Sequence, residues 1–356
     1  MAGCPAGTSA PSSAPDPLVI SLFDFSALAL AIHLDDLPLE DAAYDAVVAL
    51  NRLAGANAHI RGVVQRARDD ARRPYGEVVR LVARQDGQLV GHAGAFPLIA
   101  YAGPGRRYVQ LAVHPAWRGR GVGRRLLDAL LARLPGAREL IGQLDAQDAR
   151  TRRFLEAAVP GEIASEDLEL ALEVPALDAA HLARLRGYAD RLPALGLRVA
   201  PLAALKAVVP DWLPRLHHLA TGLDEDVPSP VAHDAPGLEP WAAAEIRVPD
   251  VHHEALFLAL DGDRWVGLCE LRAPGAPGCL VHDLTGVVRP WRRRGVALGL
   301  KAAAALWARS AGVERITTWT HVENAAMRAT NAHIGFEERR RWHLWVSERA
   351  DDAPGR

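Results

Sequence analysis

Apolar positions along this 356-residue chain recur at two spacings, and the alternation between them predicts the elements. In the stretch 41–53, Ala43, Val47, Leu50 and Leu53 lie near helical spacing and predict a helix. Stretches 18–25, 78–84, 89–96 and 108–113 are short apolar runs and predict strands, with Asp86-Gly87 turning a hairpin. A helix over 123–134, stopped by Pro135-Gly136, leads to a strand at 139–144, a helix at 149–158 and a strand at 168–173. After a helix over 176–191 a similar succession returns. Strands are predicted at 197–202, 254–261, 265–271, 279–288, 314–320 and 342–346. Helices fall at 205–219, interrupted by Pro210 and Pro214, at 299–311, and again before the last strand. Strands interleaved with helices in this way predict an α/β fold with mixed sheets.

The repetition is visible residue by residue. Val113-His114-Pro115-Ala116-Trp117-Arg118-Gly119-Arg120-Gly121-Val122-Gly123 aligns without gaps on Val287-Val288-Arg289-Pro290-Trp291-Arg292-Arg293-Arg294-Gly295-Val296-Ala297, a step of 174 residues from Arg118 to Arg292. A period of half the chain points to a duplicated domain and not to a solenoid. In both copies an apolar strand ends in a Pro- and Trp-containing turn, and an arginine–glycine loop opens an amphipathic helix. Glycines admit close backbone approach, and the first N–H groups of a helix are unpaired donors at the favourable end of its dipole. This is an anion cradle suited to a pyrophosphate. It has no Gly-Lys-Ser/Thr and no Gly-x-Gly-x-x-Gly, so neither a Walker loop nor a dinucleotide fingerprint is present.

Composition narrows the class. With 49% hydrophobic and 24% charged residues the chain reads as a soluble globular protein, and a net charge of −2 gives no signature of nucleic-acid binding. All but Lys206 and Lys301 of its 41 basic residues are arginine, which with the abundant alanine suggests a GC-rich bacterial genome. Three cysteines make no disulfide framework, and no apolar run reaches the ~20 residues of a membrane span. Residues 1–16 lack the order of a signal peptide and are expected to be a disordered tail, which makes the cytoplasm the default location.

Val-x-Pro-x-x-Arg-x-x-Gly-x-Gly/Ala resembles the coenzyme A loop of the GNAT acetyltransferase superfamily, and its recurrence is similar to the two-domain members. Farther on, Asn324, Met327, Asn331 and Gly335-Phe336 resemble the second signature of that family. The first copy departs from it at Ala158-Val159-Pro160-Gly161, where many relatives carry Gly-Phe. The resemblance implies two tandem GNAT-like domains, at 17–175 and 195–350, joined by a connecting helix at 176–194. It also implies a pair of splayed strands in each domain, with acetyl-CoA or another acyl-CoA lying in the gap as co-substrate. Cofactor contacts would then fall on Leu111, Ala112, Val113, Arg118, Gly119, Arg120, Gly121, Val122 and Gly123. In the second domain they would fall on Gly286, Val287, Val288, Arg292, Arg293, Arg294, Gly295, Val296, Ala297 and Asn324. The implied activity is acyl transfer to an amine of a small molecule, by a monomer or homodimer acting on neither nucleic acid nor membrane. The second domain, holding both signatures, is expected to carry the chemistry. A backbone N–H near Val287 would serve the oxyanion.

An amine nucleophile must lose a proton. His282 and Asp283 lie near the end of the strand entering the second loop and alternate to opposite faces. His282 is favoured because an unperturbed imidazole titrates near neutrality; a structural pair is the competing reading. Asp224, Glu225 and Asp226 form an acidic loop that could hold a cationic acceptor or work through a water, or could simply be solvated, and Glu270 is a weaker choice. Where relatives often place a tyrosine to protonate the thiolate this chain has Asn331, which can hydrogen-bond but cannot act as an acid. The adjacent pairs His217-His218 and His252-His253 do not converge, so no metal is expected. Trp117 and Trp291 are expected to pack their turns. The rival from another class is a non-catalytic tandem module that senses acyl-CoA or scaffolds a partner.

Overall fold

The computed structural model describes residues 32–55, 60–99, 105–228 and 235–349, so the strand expected at 18–25 and the tail at 1–16 lie outside the described residues. Among the described residues twelve strands form one sheet: β1 (His33–Asp36), β2 (Val79–Gln85), β3 (Gln88–Phe96), β4 (Arg106–Val113), β5 (Glu139–Asp145), β6 (Glu162–Glu173), β7 (Arg198–Pro201), β8 (Val251–Asp261), β9 (Arg264–Arg272), β10 (Cys279–Val287), β11 (Arg315–His321) and β12 (Glu337–Glu348). Their spatial order is β1-β2-β3-β4-β5-β12-β6-β11-β10-β9-β8-β7.

That order is nearly a mirror of itself, as a duplication requires, with one exchange. The last strand of the first half, β6, pairs with β11 of the second half, and β12 pairs with β5 of the first half. At the centre β6 and β12 run antiparallel, from Glu337 opposite Ala171 to Val346 opposite Glu162. The segment 158–161, where the first copy departs from the family pattern, is tied to the exchanged strand. Trp345 Nε1 donates to the Val159 carbonyl at 3.1 Å and Ser347 Oγ to that of Pro160 at 2.6 Å.

Local chemistry explains the layers. In β8 the residues Ala255, Phe257 and Ala259 join one apolar core while Leu256, Leu258 and Leu260 join another. A strand buried on both faces reads as a continuous apolar run. The first core lies under the helix Val296–Ser310, whose Ala302, Ala304, Ala305 and Ala308 are fully buried. Small residues there let neighbouring segments approach closely: a side chain on Gly299 would meet Leu192 at 2.7 Å. The second core lies under the helix Trp212–Asp224. The helix Gly62–Arg72 was not anticipated, because its sequence is largely Arg, Asp and Gln with few apolar positions. It links the halves: Arg68 reaches Asp250 at 2.6 Å, and the neighbouring Arg61 N–H donates to the Pro274 carbonyl.

Candidate active site

The two arginine–glycine loops fold alike. Each strand end passes through a single helical turn, Pro115–Trp117 or Arg289–Trp291, and the next helix opens on a left-handed glycine, Gly121 at φ 79° or Gly295 at φ 83°. Two residues before each of these a second left-handed residue is needed. Gly119 fills that place in the first loop, while Arg293, at φ 60°, fills it in the second against the usual steric preference. Neither helix has a side-chain cap, so the first-turn N–H groups at Val122 and Gly123, and at Val296 and Ala297, stay available to an anion. Arg120 lies over Trp117 at 4.9 Å and Arg294 over Trp291 at 5.0 Å, so each tryptophan carries an arginine of its own loop.

The loops differ in charge balance. Arg118 donates to two backbone carbonyls, Val113 at 3.2 Å and Ala54 at 2.6 Å. Arg292 donates to the Val287 carbonyl at 2.9 Å but also pairs with Asp226, as does Arg289. Those two guanidinium groups hold the Asp226 carboxyl below its usual range.

Beyond each loop the parallel strands part. Pairing of β4 with β5 ends at Tyr108 opposite Ile141, and that of β10 with β11 ends at His282 opposite Thr318. Behind the first parting lies a cavity of about 460 Å³, lined by Leu111, Ala112, Val113, Arg118, Gly121 and Gly123 among others. A second cavity, about 380 Å³, lies where the halves meet. Residues just past both partings line it: Val109 and Gln143 in the first half, Asp283 and Trp319 in the second.

Strand β10 carries a bulge between His282 and Thr285 against β9. Bulges re-aim side chains, and here Asp283 emerges half-exposed into the second cavity. It meets Arg272 at 2.7 Å, and Arg272 also meets Glu270 at 3.0 Å and Glu245 at 2.9 Å. Asp250 and, at the end of its helix, Asp224 also lie within electrostatic reach of this guanidinium, so five carboxylates gather around it. Burial, then the neighbouring Asp283 and Glu245, push the Asp224 carboxyl up to about 7. Burial likewise pushes Glu270 up to about 8. Glu225 follows at the helix end, exposed.

Several expected roles change. His282 is 2% exposed, its ring beside Cys269 Sγ at 3.6 Å and the ring of Phe336 at 5.9 Å. Burial and the Lys301 ammonium hold its pKa well below the ordinary value. His282, expected as the base, is enclosed, and of the two alternating residues it is Asp283 that faces the cavity. Asn331 is fully buried and donates to Thr320 Oγ1 at 2.9 Å, which locks the helix Ala325–Ile334 to β11 and keeps its amide from a leaving thiolate. Asn324 caps that helix, accepting from the Met327 N–H at 3.1 Å. Gly286 is required by packing, since a side chain there would strike Leu223 at 2.9 Å. The Val288 N–H already donates to the Val266 carbonyl at 2.9 Å. Arg68, Arg72, Asp250 and Trp319 line the second cavity and had not been singled out. Arg68 and Asp250 lie 182 residues apart in sequence, and only the fold brings these four together. Among the described residues no three His, Cys, Asp or Glu side chains converge to hold a metal, and no helix is long and apolar enough to cross a membrane.

Comparison with known proteins agrees with this geometry. The acetyltransferase (GNAT) family matches twice, over residues 50–158 and 220–336. No curated protein matches. Among solved structures, a tandem GNAT protein from the clavulanic acid biosynthesis pathway has a TM-score of 0.65 at 21% identity, covering 89% of this chain and 98% of its own. A GCN5-related N-acetyltransferase from Sphaerobacter thermophilus has a TM-score of 0.60 at 17% identity, covering 89% of this chain and 95% of its own. With both matches falling on the two strand–loop–helix repeats, the chain belongs to the acetyltransferase (GNAT) family and carries that fold twice in tandem.

Proposed function

We propose that the protein transfers an acetyl group from acetyl-CoA to the amine of a small molecule, and that the chemistry runs where β10 and β11 part. One observation supports the choice of half: just past the second parting Asp283 emerges half-exposed into the cavity, with Asp224 close enough to feel its charge, whereas Val109 and Gln143 stand just past the first. A carboxylate attracts an ammonium and can take its proton, which neither a valine nor a glutamine amide can do.

The unpaired N–H groups after Gly295 and the flanking arginines fit a pyrophosphate, and Asp226 must yield Arg292 as the phosphates arrive. In this reading Asp283 holds the incoming amine and Asp224, directly or through a water, accepts its proton. The nitrogen forms a bond to the thioester carbonyl carbon, the C–S bond breaks, and sulfur leaves with its electron pair. A thiol of pKa ~8.5 is an adequate leaving group without an acid at Asn331. The first cleft, where Arg118 bonds only backbone carbonyls, binds a second coenzyme A molecule in a supporting role.

The test is thiol release from acetyl-CoA across an amine library. Asp224→Asn should lower kcat by about 10²–10⁴-fold and leave coenzyme A affinity intact. Titration of acetyl-CoA into Gly121→Glu and Gly295→Glu should remove one site each. A folded wild type that binds acetyl-CoA yet releases no thiol with any amine would favour the acyl-CoA sensor instead.

A further inference from the structure

The cavity between the halves has charge of both signs: arginines from the first half face carboxylates of the second that gather around Arg272. On the first half Arg68, Arg72 and Arg80 share two carboxylates, Asp69 and Asp250. Asp69 is already saturated: it takes two bonds from Arg80, at 2.8 and 2.9 Å, one from Gln65 at 3.0 Å and one from Tyr44 at 3.1 Å. Arg72 is left 3.6 Å from it, beyond hydrogen-bond reach, with its guanidinium 4.1 Å from the centre of the Phe96 ring. A largely buried, planar fork of donors whose nearest carboxylate is shared and out of hydrogen-bond reach suits a carboxylate ligand.

The second half supplies the opposite sign. Asp283 is half-exposed to the cavity, and the carboxylates around Arg272 outnumber it. Asp250 lines the same cavity at 0% exposure, and its Oδ1 has no hydrogen-bond partner although Oδ2 accepts from Arg68. A buried carboxylate oxygen without a donor is costly, and a bound ammonium would supply one. Trp319 Nε1 and Asn51 Oδ1, on the same lining, are also buried without partners. Between the charged groups the wall is aromatic, from Phe96, Tyr108, Trp319 and Trp342.

We propose that this cavity is the acceptor site and that the acceptor is a zwitterion of amino-acid type. Its carboxylate is bound by Arg72, its amine is directed to Asp250 and Asp283, and its side chain is apolar or aromatic. The inference rests on the proposed reaction centre and narrows its substrate class from amines in general.

Binding is measured first, by calorimetry, in the intact protein with acetyl-CoA present. The probes are the twenty standard amino acids, then L-phenylalanine beside L-phenylalaninamide and phenethylamine. The amino acid should bind at least ten-fold more tightly than either analogue lacking the carboxylate. Arg72→Gln should erase that preference, and Arg72→Lys should restore part of it, in variants whose circular dichroism matches the wild type. Equal binding of the three probes, a preference unchanged in Arg72→Gln, or no binding by any amino acid would overturn the proposal. Thiol release is a separate readout. Carboxylate-selective binding without turnover would keep the site and reject acyl transfer, and turnover of simple amines alone would do the reverse.

Discussion

Lys301 lies in the middle of a buried helix face, 1% exposed, with its ammonium 5.4 Å from the Phe336 ring centre. Burial lowers its pKa to about 8. The fold therefore prefers the neutral amine, and the sign follows: the penalty is complete below about pH 8 and vanishes as pH rises through the ordinary value of 10.5. A shift of that size corresponds to about 3 kcal/mol. The matching residue of the first copy, 174 positions earlier, is Leu127, also buried. Lys301→Met should then be more stable than the wild type at pH 7 by about 1–3 kcal/mol, with the gap closing by pH 10. Urea unfolding at both pH values measures it, and a variant less stable at pH 7 would show that the amine has a partner worth more than its burial. Asp224 shifts the opposite way, so the carboxylate proposed as base appears only as pH rises through about 7. The rate should climb across that range in the wild type, and Asp224→Asn should lose this limb of the pH profile. Sequence reasoning preferred His282 because it weighed ordinary pKa values. Burial reorders them, lowering the imidazole and raising the carboxyl, and burial is not written in the local pattern.

At the scale of elements, the loops were legible and the strand partners were not. Gly121 and Gly295 take the left-handed backbone that a short strand-to-helix turn demands, and the flanking arginines are neighbours in sequence. Everything needed to see them lies within about a dozen residues. Alternation along β6 and β12 tells which residues face a core but not which strand lies beside them, so their exchange stayed hidden. The bulge in β10 was hidden too, because it arises from β9 being one residue short between the same two pairings. The exchange has a sensitive point at Gly161, where a side chain would lie 2.3 Å from the Val346 carbonyl and 2.9 Å from Trp345 Nε1. Gly161→Val must push β12 away and break the Trp345 bond to Val159. We expect a loss of about 2–4 kcal/mol in denaturant unfolding, monitored by tryptophan fluorescence. Gly187→Ala, on a helix with nothing within 4 Å, should change stability by less than about 1 kcal/mol in the stabilising direction and serves as the control.

At the scale of the whole molecule, the exchange makes each half depend on the other. Cutting the chain after Ala176 would leave β5 without β12 and β6 without either of its neighbours. An unpaired edge of this length is a template for association. The shape of the association follows from the pairing already present: β6 and β12 occupy matching places in the two halves and run antiparallel. Two copies of the first half can reproduce that arrangement by setting β6 against β6 about a twofold axis, each β6 then lying beside the partner's β5, a closed isologous contact. The separate first half should therefore be a dimer by light scattering, not a monomer. Its dissociation should require unfolding, since the contact would be part of the sheet. A stable monomer would mean that β6 folds back beside its own β5, the arrangement that duplication without exchange would have left. The same reasoning bears on the cavity between the halves. Its carboxylates come from β10 and the turn at Asp250, and two of its arginines, Arg68 and Arg72, come from the helix Gly62–Arg72. A homodimer of the first half would duplicate the arginines and lose the carboxylates. It should keep the first cleft, proposed above for coenzyme A, apart from the β12 side chains Trp342 and Trp345 on its wall, and lose the ammonium side of the proposed acceptor site. Acetyl-CoA binding that survives in the dimer, with thiol release abolished, is the outcome expected if the first half binds on its own and the chemistry needs β10 and β11 of the second.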